Sequence, residues 1–151
     1  MSTTTLPRRP IPAVNASSVT LVMEATPAAV PVLRAFTRQT VGRWNRGEDA
    51  VESLALIVTE LVTNVCRHSG SSHVTVWLSC DDRQIDVKVV DQGSWRDPDH
   101  TLADEDADLH GRGLHLIRAY ADTMEIRRTE GGTHVLATLL ADASYAQSDL
   151  A

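Results

Sequence analysis

Cysteine is scarce in this chain: two in 151 residues, Cys66 and Cys80, too few for the disulfide framework of a small secreted domain. Long apolar runs are missing as well. None approaches the roughly 18 to 20 residues needed to cross a bilayer, and the segment after Met1 has no apolar core of a secretory signal. The expected location is therefore the cytoplasm. Basic charge is short too: 14 Lys and Arg face 20 Asp and Glu, a formal charge of -6. That balance gives no basic face for a phosphate backbone and argues against direct nucleic-acid binding. No internal repeat is present.

The length suits one core and is too short for two ordinary domains. Pro7, Pro10 and Pro12 stand among Ser, Thr and Arg, a composition that cannot bury enough apolar area to order itself. The reading is a flexible tail at 1–17, one domain at 18–140 and a second tail at 141–151.

Within that domain, Val19 to Met23 reads as a strand. Thr26-Pro27 supplies an N-cap followed by proline at the first helical position, and Val30, Leu33, Phe36 and Thr37 continue at helical spacing towards Val41. Gly47 breaks this pattern. Asp49 with Glu52 three residues later forms a capping-box variant opening a second helix that runs to about His68. Val74, Val76 and Leu78, then Ile85, Val87 and Val89, alternate with polar neighbours around Asp81-Asp-Arg, a hairpin signal. Leu114, Ile117 and Ala121 mark a third helix, and Met124 to Thr129 with Thr133 to Leu140 a final hairpin across Glu130-Gly-Gly. The fold class is α+β, a two-layer sandwich with helices on one face of a mixed, mostly antiparallel sheet.

Three short stretches carry chemistry. In the second helix, Val51, Leu54, Ala55, Val58, Leu61, Val62 and Val65 form the core-facing band. Glu60, Asn64 and His68 lie one turn apart along another side with Ile57 beside them, which makes that stripe partly apolar and suited to a ligand. An Asn carboxamide oxygen is a neutral hard donor fit for a magnesium ion that keeps most of its waters, and a Glu one turn away can take a proton from a hydroxyl. Asp91 continues the buried face of Ile85, Val87 and Val89, where a carboxylate is costly unless it has a donor to accept from. The exocyclic amino group of adenine is such a donor, and Gly93 would let the base approach the backbone. Gly111-Arg112-Gly113-Leu114 opens the third helix, where free N–H groups and the helix dipole favour phosphate oxygens.

Between these motifs, Gln92 to His110 reads as a long loop rich in acid: Asp97, Asp99, Asp104, Glu105, Asp106 and Asp108. A lid that closes over a magnesium complex and a solvated charge run are equally open readings. A zinc site at Cys66, His68, His73 and Cys80 is disfavoured. Cys66 and His68 lie about 200° apart on a helix, and a buried thiol with a surface histidine is the ordinary reading.

Together these residues resemble the GHKL superfamily, the histidine-kinase-like ATPases of the Bergerat fold. The Glu-x-x-x-Asn box matches Glu60 to Asn64, the Asp-x-Gly box Asp91 to Gly93, the Gly-x-Gly-Leu box Gly111 to Leu114, and the late Gly-Thr matches Gly132-Thr133. The likeness runs from about Ser18 to Leu140. The wording of Leu54 to His68 and of Gly111 to Ile117 is similar to the short anti-sigma-factor serine/threonine kinases. That resemblance implies ATP and magnesium as cofactors, Asn64 as metal ligand, Glu60 as general base, and Asp91 reading adenine with support from Thr133. It also implies phosphoryl transfer to a serine of an anti-anti-sigma (STAS-type) partner, capture of a sigma factor, and a homodimer. One departure stands out: Ser94 and Trp95 occupy the place where the second box normally reaches another glycine. It keeps a non-catalytic docking module of the same fold as the alternative.

Overall fold

The computed structural model describes residues 17–93 and 113–141. Its strands are β1 (Ser17–Glu24), β2 (His73–Cys80), β3 (Gln84–Asp91), β4 (Thr123–Thr129) and β5 (Gly132–Leu140). They form a sheet in the order β1-β2-β3-β5-β4. Every pairing among the described strands is antiparallel, so the parallel component expected of a mixed sheet does not occur there. The helices are α1 (Ala29–Arg43), α2 (Glu48–Asn64) and α3, which covers 113–120.

Alternation in β2 and β3 decides which face is buried. Val74, Val76 and Leu78 point inward from β2, and Ile85, Val87 and Val89 from β3. The register stacks them in rows: Val76 opposite Val89 and then Val135, Leu78 opposite Val87 and then Ala137. Onto these rows α2 lays Leu54, Ile57, Val58, Leu61 and Val62, all fully buried. In α1 the buried residues Ala29, Leu33, Thr37 and Val41 recur every fourth position, the spacing of one helix face. Thr37 can sit there because its hydroxyl donates to the Leu33 carbonyl at 2.8 Å. Between the helices, Arg34 Nε donates to Thr59 Oγ1 at 2.8 Å and Arg38 pairs with Glu52 at 2.9 Å.

Several local expectations are corrected. The first helix begins at Ala29 with Ala28 as N-cap, two residues later than Thr26-Pro27 suggests. Thr26 and Pro27 instead form the turn off β1, in which the Thr26 carbonyl accepts from Ala29 N–H at 2.9 Å. The Asp49–Glu52 capping box does not form. Gly47, at φ 95°, is the N-cap without a side-chain cap bond, and Glu52 is engaged by Arg38 across the helix pair. Regular α-helix ends at Asn64, and Val65–Ser69 is a π-helical turn. Its wider step means that His68 is not held at the α-helical one-turn spacing from Asn64. Ile57 belongs to the core, at 0% exposure, and leaves the stripe of Glu60 and Asn64 entirely polar. The acidic stretch 97–108, with Ser94 and Trp95, lies outside the described residues. No helix among the described residues is long and apolar enough to cross a membrane.

Leu61 sits where α2 meets the sheet, so Leu61→Ala should cost about 2–5 kcal/mol. Val22→Ala, at a side chain 55% exposed on the edge strand, should cost less than about 1 kcal/mol. Urea denaturation of the two variants against the parent checks the contrast.

Candidate functional site

The buried rows of the sheet end in polar residues. Asp91 is the last inward-facing position of β3, paired with Val74 on one side and Thr133 on the other, and both Asp91 and Thr133 are 2% exposed. Continuing the alternation of Ile85, Val87 and Val89 therefore places a carboxylate at the rim of an aliphatic core, with a threonine beside it in the next strand. Part of the cost of burying it is met locally: Asp91 Oδ1 accepts from Gly93 N–H at 2.9 Å.

Two glycines let the ends of the strands close around this position. A Cβ on Gly132 would run into the Asp91 carbonyl, and Gly132 holds φ 139°, a backbone region essentially reserved for glycine. A Cβ on Gly93 would run into the Ser69 carbonyl and lie 2.9 Å from Ser71 N. The Asp91–Gly93 turn is thus packed backbone to backbone against the chain leaving the π-turn of α2.

At the other end of the motif cluster stands α3. Gly113 is buried, and a Cβ there would lie 3.1 Å from Glu60 Oε2 and 3.7 and 3.9 Å from the amide nitrogen and oxygen of Asn64. Gly113, the first described residue of α3, therefore lies against the carboxylate and carboxamide that α2 presents on its last turn. Both side chains are half-buried, and among the described residues neither makes a side-chain hydrogen bond. Polar groups held in that way are available to a ligand.

The structure brings together Glu60, Asn64 and Gly113 at one end, and Asp91, Gly93 and Thr133 at the other, with α2 and its π-turn spanning the two. Leu114 packs partly buried against the core. Gly111 and Arg112 lie outside the described residues. Cys66 and His68 are both half-buried, while Cys80 is the buried thiol and His73 the exposed histidine of the ordinary reading. Burial pushes the Cys66 thiol up, with a backbone hydrogen bond acting in the opposite direction, so it stays a protonated thiol at neutral pH. A cleft of about 320 Å³ opens at the opposite end of the sheet, between Arg46, Asp49, Gln84 and Leu139, and shares no residue with the motif cluster.

Whether these groups suit a magnesium nucleotide can be judged from their chemistry. A neutral carboxamide and a carboxylate lie against a glycine backbone where a Cβ would be tight, and a buried acceptor marks the far end. A hard cation, its phosphates and a base bearing an amino donor match that donor and acceptor set.

Residues 23–139 match the family profile of the histidine kinase-like ATPase domain. The chain belongs to the histidine kinase-like ATPase family. Membership implies an ATP-binding domain of the Bergerat fold, and the antiparallel sheet with helices on one face agrees with it. Among solved structures, this histidine kinase-like ATPase domain is similar to the RsbU and RsbW domains of Rv1364c from Mycobacterium tuberculosis, with a TM-score of 0.62 at 19% identity. The alignment covers 83% of this chain and 33% of that one, so the domain spans about a third of that structure, and the likeness is one of fold. No curated protein matches the chain.

Sequence reasoning did not single out Ser69 and Ser71, which hold the Asp91–Gly93 turn. The only signal for them was the Ser-Gly-Ser-Ser cluster at 69–72, ordinary loop punctuation. Gly93→Ala should destabilise the fold by roughly 1–3 kcal/mol, because the Ser69 carbonyl cannot yield without moving the π-turn. Gly131→Ala, whose added Cβ would meet only Thr129 Oγ1 at 3.7 Å, should be close to neutral. Thermal melts of both variants, followed by circular dichroism, check this.

Proposed function

We propose that this chain is an ATP-dependent, magnesium-requiring serine/threonine kinase of the anti-sigma-factor type. It transfers the γ-phosphate of ATP to a serine of an anti-anti-sigma (STAS-type) partner and alternately sequesters a sigma factor. The observation that carries the reading is the approach of Gly113 to Glu60 and Asn64, which brings together two motifs about fifty residues apart in sequence. Family membership and the fold shared with the RsbU and RsbW domains of Rv1364c support it.

In this reading Asn64 contributes its amide oxygen to the magnesium coordination sphere, and the backbone N–H groups at the start of α3, with Arg112, receive the phosphates. Asp91 accepts from the exocyclic amino group of adenine, while Thr133 beside it supports the base-binding end. Gly93 lets the base lie against the backbone. Bound magnesium ATP supplies the phosphoryl group and neutralises part of its charge. Glu60 holds the seryl hydroxyl of the partner and takes its proton at Oε as the oxygen becomes a nucleophile. The domain at 18–140 does this work as a cytoplasmic homodimer.

The test is transfer of labelled γ-phosphate to a cognate anti-anti-sigma serine. Glu60→Gln should lower the transfer rate by about 10²–10⁴ while calorimetry still registers MgATP. Asn64→Ala should lose both transfer and magnesium-dependent binding. Failure of the parent chain to bind MgATP, or retention of full transfer by Glu60→Gln, would overturn the assignment.

A further inference from the structure

The two ends of the motif cluster lie on different elements, and a small set of contacts fixes one against the other. Ser69 ends the π-turn and is 5% exposed. Its hydroxyl oxygen accepts from Ser71 N–H at 3.0 Å, closing a tight turn over Gly70, which holds φ 66°. That turn aims the Ser71 side chain at the ends of two strands. Ser71 O–H donates to the His73 carbonyl at 2.6 Å, and Ser71 Oγ accepts from Gln92 N–H at 3.0 Å.

A hydroxyl has one proton and two lone pairs. With the proton committed to His73, a lone pair is left for Gln92, so the two bonds are mutually consistent and fix the Ser71 rotamer. Gln92 is the residue between Asp91 and Gly93. Its neighbours are held as well, Gly93 by the Ser69 carbonyl behind it and Asp91 by its bond from Gly93 N–H. The bond to Gln92 is a side-chain hydrogen bond that runs from the chain leaving α2 to the Asp91 turn.

We infer that Ser71 is a positioning residue for base recognition: its hydroxyl clamps the Asp91–Gly93 turn to the end of α2 and so sets the aim of the Asp91 carboxylate. This rests on the proposed ATP-binding reading and adds to it a residue outside the four motifs. The consequence is one of specificity. Adenine offers an amino donor where guanine offers a carbonyl oxygen, and a carboxylate acceptor separates the two only while it is held in place. A loosened turn lets Asp91 yield, and the preference for adenine falls with it.

The experiment compares the full-length parent, Ser71→Ala and Ser71→Thr in two readouts. The first needs no nucleotide: amide hydrogen exchange at Gln92, followed by NMR. Exchange should speed up in Ser71→Ala and return towards the parent rate in Ser71→Thr, which keeps a hydroxyl. The second is calorimetry with MgATP and with MgGTP. Ser71→Ala should bind MgATP about tenfold more weakly, the scale of one lost hydrogen bond, and its ATP-to-GTP ratio should narrow, with Ser71→Thr within about threefold of the parent. General destabilisation would not change that ratio. Unchanged Gln92 exchange, or an unchanged ATP-to-GTP ratio in Ser71→Ala, would overturn the role of Ser71. A parent that binds neither nucleotide but shows the exchange effect would leave the clamp standing as a structural contact and overturn both its role in recognition and the ATP-binding reading beneath it.

Discussion

The contact on which the motif cluster depends is the backbone approach between Gly93 and the Ser69 carbonyl. It requires that residue 93 carry no side chain, and it joins the turn after β3 to the chain leaving α2. Through α2 the same contact is tied to Glu60 and Asn64, and through Asp91 it is tied to Thr133 in β5. Two chemically different ends, an acid and amide at one and a buried carboxylate at the other, are thereby held on a single path of packed backbone. Packing sets the distance between them.

The π-turn at Val65–Ser69 is the means by which that path is bent. A continuous α-helix would carry its last residues straight on in register with Asn64. The wider turn breaks that register, and Gly70 at φ 66° then turns the chain back towards β2 and the end of β3. The sheet contributes through its register. Because Asp91 lies opposite both Val74 and Thr133, a slip of one residue would carry Asp91 to the open face and present Val90 or Gln92 to the core. The aliphatic rows behind it, Val76 with Val89 and Leu78 with Val87, oppose such a slip, so core packing and placement of the site share one cause.

Much of this was legible in the sequence where periodicity was strong. The alternation in β2 and β3 and the apolar band of α2 led to the correct elements, and the inward placement of Asp91 followed from counting residues along a strand. Element ends were less legible. Thr26-Pro27 reads as a helix start, yet the chain there must first turn away from β1. Asp49 and Glu52 read as a capping box, yet Glu52 is taken by Arg38, a residue of another helix. Such outcomes depend on partners distant in sequence. Ile57 shows the same limit: the helix wheel sets it beside Glu60, and only the packing of α2 on the sheet assigns it to the core.

By itself the sequence determined the alternation, the helical bands and the order of the four motifs, because these follow from local geometry with periods of 2 and 3.6 residues. It also determined where glycine was placed, though not why. Tertiary structure decided that Gly113 lies against Glu60 and Asn64, that Gly93 abuts Ser69, and that Ser71 reaches Gln92. Each of these joins residues on different elements, from about twenty to fifty positions apart. Their proximity arises only when the helices bury their apolar faces on the sheet, since that burial, and no local preference, fixes how the elements lie against one another.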